Sequence, residues 1–184
     1  YFQAIKIEIP LSFGRIRGHG IRWPLQFLYT SNIPVILTAA LIANVQLWAR
    51  LLESWGYPLL GTFSGQTPAT GLVGWLNSPN IVDNILIGVF AFSDVLKALI
   101  YTVFMVGGAV LFSWFWVQTA GMYARSQAKK ILSSGLQVPG FRRDERIMES
   151  LLNRYITPLT IMGGITIGLL ASAADLTGAL GRGT

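Results

Sequence analysis

"SNIPVILTAALIANVQLW", residues 31–48, is apolar enough to cross a membrane, yet it carries Asn32, Pro34, Asn44 and Gln46. Each of those residues costs free energy in lipid unless something nearby satisfies it. The stretch lies inside a longer apolar run, Phe27 to Trp48. That run has about the length needed to cross ~30 Å of hydrocarbon at ~1.5 Å per helical residue. What the four residues do there depends on the rest of the chain.

The 184 residues are 52% hydrophobic and only 12% charged, with a mean hydropathy of +0.53 and a net charge of +6. Soluble domains hold about 25% charged residues, so an ordinary globular protein is disfavoured. The charges cluster and leave three long stretches almost bare. We expect an all-α membrane protein, a multi-span helical bundle. With no cysteine, a disulfide framework, a thiolate nucleophile and a cysteine metal site are excluded. The chain opens on Tyr1-Phe2-Gln3 and stops at Gly181-Arg182-Gly183-Thr184 without a cleavable leader, so both ends are expected to be cuts through a longer protein.

Phe27 to Trp48 is the first expected span. Leu96 to Val117 is the second, with Lys97 and Tyr101 near one end and Trp114 and Trp116 near the other, as headgroup belts favour. The third runs from Thr157 to about Leu180 and has Pro158 in its first turn, where a missing N–H does little harm. The run Ile81 to Phe92, interrupted by Asp83 and Asn84, is too short to span and is expected as an interfacial helix in the loop 49–95. Lysine plus arginine counts four in residues 1–26, one in 49–95 and seven in 118–156. By the positive-inside rule the first and third loops face the cytoplasm and the middle loop faces out.

Both basic loops have internal design. In the first, Ile5, Ile7 and Ile9 alternate with Lys6 and Glu8 before reaching Gly14-Arg15-Ile16-Arg17-Gly18, which reads as a β-hairpin-like projection. In the third, Pro139-Gly140 presents Phe141, Arg142 and Arg143 at a bend. Basic loops serve topology and lipid headgroups in the plainest reading. Two structured projections with arginine tips also suit a phosphate-rich partner such as ribosomal RNA. His19, the sole histidine, has no second ligand nearby. Ile147, Leu151 and Leu152 then recur at helical spacing, an amphipathic lead-in expected to lie along the membrane surface.

Within residues 31–48, Pro34 would kink the helix, and Asn32 and Asn44 would bond neighbouring helices. Ala39, Ala40 and Ala43, like Gly107, Gly108 and Ala109 in the second span, permit close approach. A helix lining a conduit or a movable interface would likewise need modest polarity, a kink and no fixed charge.

"EIPLSFGRIRG", "YTSNIPVILTAALIANVQLW", "VPGFRRDERIMESLLNRYITPLT" and "GALGRGT" resemble, in order along the whole chain, the SecY family of protein-translocation channel subunits, closest to its archaeal and eukaryotic-type branch. The resemblance implies a ten-span fold of two pseudo-symmetric halves around an hourglass pore. The three spans here would be its seventh, eighth and ninth, with 181–184 at the start of a tenth. It implies that Ile36 supplies an apolar side chain to the pore ring, and that Asn44 and Pro34 belong to the lateral gate. Arg15, Arg17, Arg142 and Arg143 would contact the ribosome. The implied partners are a SecE-type gamma subunit, a small SecG/Sec-beta-type subunit, the ribosome with its rRNA and proteins, signal sequences, nascent polypeptides and membrane lipids. The implied location is the plasma membrane, and no cofactor is expected.

Two rivals remain. A fragment of a secondary transporter, with a broken helix at Pro34, would share the interrupted span but would usually carry a charge near a span's midplane. An enzyme would need catalytic groups converging at one depth. Asp175 near the end of the third span and His19 in a loop do not converge, and Asp175 is expected to act structurally at the outer interface.

Overall fold

A computed structural model describes residues 6–13, 20–26, 32–65, 67–79, 81, 84, 87–88, 91–137 and 144–178. By its internal contacts the chain forms two units. One comprises Tyr1–Ser31 and Val110–Gly164, the other Asn32–Ala109 and Ile165–Thr184.

The first unit contains the hairpin that the alternation predicted. β1 (Lys6–Phe13) pairs antiparallel with β2 (Gly20–Gln26), from Lys6↔Gln26 to Ser12↔Gly20. With a period of two, Lys6 and Glu8 are exposed while Ile9 is buried, and Leu25 of β2 is buried as well. Arg22 reaches Glu8 at 2.8 Å, but both are exposed, so this ion pair adds well under about 1 kcal/mol. A short third strand, β5 (Leu136–Gln137), joins the free edge of β1 through Ser12↔Gln137 and Phe13↔Leu136. The sheet order is β2-β1-β5.

The core of this unit is completed by helices. α4 (Ala124–Ser133) buries Ala124, Ala128 and Ile131, one stripe at helical spacing, and exposes Arg125, Lys129 and Lys130. The first half of α5 (Glu145–Leu176) buries Met148, Leu152, Ile156 and Leu159 against the same cluster. Arg125 and Lys129 of α4 approach Glu145, the first residue of α5, at 3.6 and 3.9 Å.

In the second unit α1 (Ile33–Ser54) and α3 (Phe92–Thr119) meet where Gly108 lies against Thr38. A Cβ on Gly108 would stand 2.5 Å from Cγ2 of Thr38. Thr38 cannot easily yield, because it is fully buried and its hydroxyl donates to the Pro34 carbonyl at 2.8 Å. The final turns of α5 reach α3 in the same manner, with Gly168 against Val106 and Ala109. Small residues at helix contacts let backbones close without any hydrophobic drive from the lipid. Ile42, Leu76, Tyr101 and Met105 fill the space beside these contacts.

Between α1 and α3 the chain folds into β3 (Phe63–Ser64), β4 (Thr67–Pro68) and a short helix, α2 (Gly71–Trp75). Gly61 and Gly71 cross so closely that a side chain on either would enter the other's backbone, and both have positive φ. Both carboxylate oxygens of Glu53 receive the Phe63 N–H, at 3.1 and 3.3 Å, and Arg50 stacks over the Phe63 ring at 5.0 Å. Glu53→Ala should strip that amide of its partner at a cost of about 1 kcal/mol. The check is hydrogen exchange: the Phe63 amide should exchange several-fold faster while amides in α1 stay unchanged.

Three helical stretches, which contain α1, α3 and α5, are long and apolar enough to cross a membrane, with mean hydropathies of 1.7, 2.1 and 1.6. Their limits differ from the expected ones. α1 starts at Ile33 and extends to Ser54, so Pro34 stands in its first turn and makes no mid-helix kink. Conversely, α5 runs unbroken through Pro158, which lies inside the helix. The lead-in around Ile147 is therefore the first part of α5 and not a separate surface helix. Asp144 starts it, its side chain accepting the Arg146 N–H at 2.9 Å. α3 is longer than expected at both ends. Of the helix expected over 81–92, Ile81, Asn84 and Ile87 are helical and several other positions, Asp83 among them, lie outside the described residues.

Candidate functional site: the uncovered face of α1

α1 has two unlike faces. Pro34, Thr38, Ile42 and Ala49 recur at helical spacing and are buried. The opposite face is open over its whole length: Ile36 is 64% exposed, and Ala40, Ala43, Asn44 and Leu47 share that exposure. Ile36 and Asn44 are eight residues apart, about 12 Å along the axis and on the same side of the helix. The sequence singled out both, and the fold brings them to one surface. Pro34 falls on the buried face, away from them.

Among the described residues Asn44 bonds no neighbouring helix. Its amide donates to the Ala40 carbonyl of its own helix at 2.8 Å, an arrangement that satisfies the N–H side locally and leaves the residue exposed. Buried hydroxyls in the apolar helices use the same device, Thr160 donating to Ile156 at 2.8 Å and Ser172 to Leu169 at 3.0 Å. Such back-bonding makes a polar residue tolerable in lipid without tying the helix to a neighbour. The open face of α1 at these positions is thus apolar or, at Asn44, hydrogen-bonded within the helix itself.

The small residues divide differently from the expectation. Ala39, Ala40 and Ala43 are exposed, while the close contact of α1 runs through Thr38. Gly108 takes part in it, and Gly107 faces open space.

One further pair joins residues that no motif links. The Tyr101 hydroxyl of α3 donates to the Asp175 carboxylate of α5 at 2.6 Å. The two residues are far apart in the chain, and no local spacing signals the bond. A carboxylate near a span end with an aromatic hydroxyl available elsewhere was the one clue. Arg15, Arg17, Arg142, Arg143 and His19 lie outside the described residues. Among the described residues no group of His, Asp and Glu is arranged to hold a metal ion.

The protein translocase subunit SecY of Methanococcus vannielii is 45% identical over 184 residues, covering 100% of this chain and 41% of that protein. Its counterpart in Methanocaldococcus jannaschii is 42% identical with the same coverage. A solved structure of a protein conducting channel superposes with a TM-score of 0.79 at 40% identity, over 96% of this chain and 40% of that one. A second, concerned with the plug domain of the SecY protein, does so equally well. The chain spans about two fifths of the length of these relatives. Since the SecY family pattern also matches residues 1–184 throughout, the chain belongs to the SecY family.

Proposed function

We propose that this chain forms most of the C-terminal half of a protein-conducting channel, which passes secretory polypeptides across a membrane and releases membrane segments sideways into lipid. The observation that carries the reading is the open face of α1, apolar at Ile36 and self-satisfied at Asn44, in a chain that resembles translocase subunits from end to end. An apolar constriction at Ile36 closes around a passing chain and resists ions without offering it specific hydrogen bonds. Asn44, unattached to any neighbour among the described residues, lets the gate part at little cost, and a hydrophobic signal helix that prefers lipid tips the balance. Pro34 serves the gate by starting α1 at its buried edge and not by bending it.

The reading extends to sidedness and partners. Loops 1–26 and 118–156 face the cytoplasm by their basic excess, in a plasma membrane. Arg15, Arg17, Arg142 and Arg143 contact the ribosome, whose phosphates suit guanidinium forks. SecE-type and SecG/Sec-beta-type subunits complete the assembly. The chain acts as a conduit and not as a catalyst. A transporter with a broken helix at Pro34 is not favoured, since the relatives and the structural neighbours are translocase subunits and protein-conducting channels.

Photocrosslinking in the full-length protein tests this. A probe at Ile36 should capture a stalled secretory chain strongly, and one at Leu170, an exposed position of α5, should not. Silence at Ile36 with the secretory chain demonstrably engaged would overturn the pore assignment.

A further inference from the structure

Between α1 and α3, the described residues 55–65 and 67–76 are joined by backbone hydrogen bonds yet display large apolar side chains. Trp55 and Tyr57 are each 68% exposed and Leu59 is 81% exposed, while Leu72 and Trp75 of α2 are exposed as well. Single exposed apolar residues need no explanation, but a concentration of large ones marks a contact surface. These five sit on two short stretches tied backbone to backbone. The Tyr57 N–H bonds back to Leu52 of α1 at 3.0 Å, which holds the first stretch at the helix end. The Val73 N–H donates to Leu60 at 3.2 Å, beside the Gly61–Gly71 crossing, which holds the second stretch to the first.

Charge speaks to what covers this surface. From Ser54 to Val82 the chain contains no Lys, Arg, Asp or Glu. At ordinary usage a water-facing stretch of that length would hold about seven. The large side chains it presents are tryptophan, tyrosine and leucine, beside the small neutral hydroxyls of Ser54, Thr62, Ser64, Thr67 and Thr70, at the point where the apolar α1 ends. Tryptophan and tyrosine pair an apolar ring with a polar tip and favour the boundary between headgroups and acyl chains. An uncharged, pre-ordered surface also loses little entropy or ion hydration on entering that layer.

We propose that residues 55–65 and 67–76 form an interfacial platform, seated in the lipid headgroup layer at the end of α1 and not projecting into water. The occupant of the apolar surface is the headgroup–acyl boundary of the outer leaflet. This rests on the reading that α1 and α3 cross the membrane. Its consequence is an anchor that fixes the depth of the C-terminal end of α1 while the open face of that helix remains free to move.

The test uses the full-length protein in lipid vesicles, with a nitroxide attached at Leu59→Cys. No cysteine occurs in this region, and so exposed a position tolerates the label without disturbing the packing. Collisions with dissolved oxygen should exceed those with a water-soluble nickel chelate several-fold relative to a label in bulk water. Nickel access equal to that of a water-exposed label would overturn the platform. Low collision with both reagents would overturn it too, by showing protein cover in place of lipid. A label at Val103→Cys, an exposed residue within α3, separates the two readings. Nickel exclusion there with nickel access at Leu59 refutes the platform alone, whereas nickel access at Val103 refutes the span beneath it.

Discussion

Gly168→Ala is expected to destabilise the full-length protein by about 1–3 kcal/mol, the usual cost of forcing extra volume into a packed contact. The added Cβ would stand 2.8 Å from the Cα of Val106 and 3.2 Å from the Cβ of Ala109. The nearest obstacle is backbone, so no rotamer change relieves it, and α3 and α5 must separate. Gly108→Ala should cost less, because its obstacle is the Thr38 side chain, yet that side chain is buried and hydrogen-bonded. Gly107 provides the control. A Cβ there meets nothing within 4 Å, and alanine removes the entropic penalty of glycine in a helix, a gain of about 0.4–1 kcal/mol. Thermal unfolding in detergent should therefore order the variants Gly107→Ala, wild type, Gly108→Ala, Gly168→Ala from most to least stable. A stable Gly168→Ala protein would show that the α3–α5 contact is looser than described.

The second large effect concerns Tyr101 and Asp175. Tyr101→Phe removes the only donor that the Asp175 carboxylate has among the described residues. Leaving a half-buried carboxylate without that donor costs about 1.5–3 kcal/mol, the range for hydrogen bonds to charged groups. Removing both partners with Tyr101→Phe and Asp175→Leu should recover much of the loss, since no polar group is then stranded. A double-mutant cycle read by unfolding midpoints isolates the coupling. Additive losses would mean that the hydroxyl and the carboxylate do not depend on one another.

Much of this architecture can be read from the chain, and the misreadings have physical causes. Alternation around Ile9 predicts the hairpin because a half-buried strand enforces a period of two. The third strand, Leu136–Gln137, is too short to show any period. The two prolines exchange the roles expected of them, because hydropathy locates an apolar run and not the ends of its helix. Helix ends obey hydrogen bonding. Asp144 before Glu145 carries a start signal that apolar content hides, and once α5 begins there, Pro158 must sit inside it. At the candidate site, Ile36 and Asn44 are legible through resemblance, and their shared face follows from helical spacing. Thr38 against Gly108 is only half legible: a small residue announces a close contact but not its partner. Tyr101 with Asp175 is invisible for the same reason, since a long-range pair leaves no periodic trace.

The edge pairing of β1 with β5 has a consequence for biosynthesis. Ser12 and Phe13 are made before α1, α3 and α4, and their partners Gln137 and Leu136 only after them. Closing so long a loop is entropically unfavourable until the intervening helices are in position. The β1–β2 hairpin, by contrast, is local and can form at once. The third strand therefore pairs later than the hairpin it extends, and the sheet is completed only once the helices between have been made.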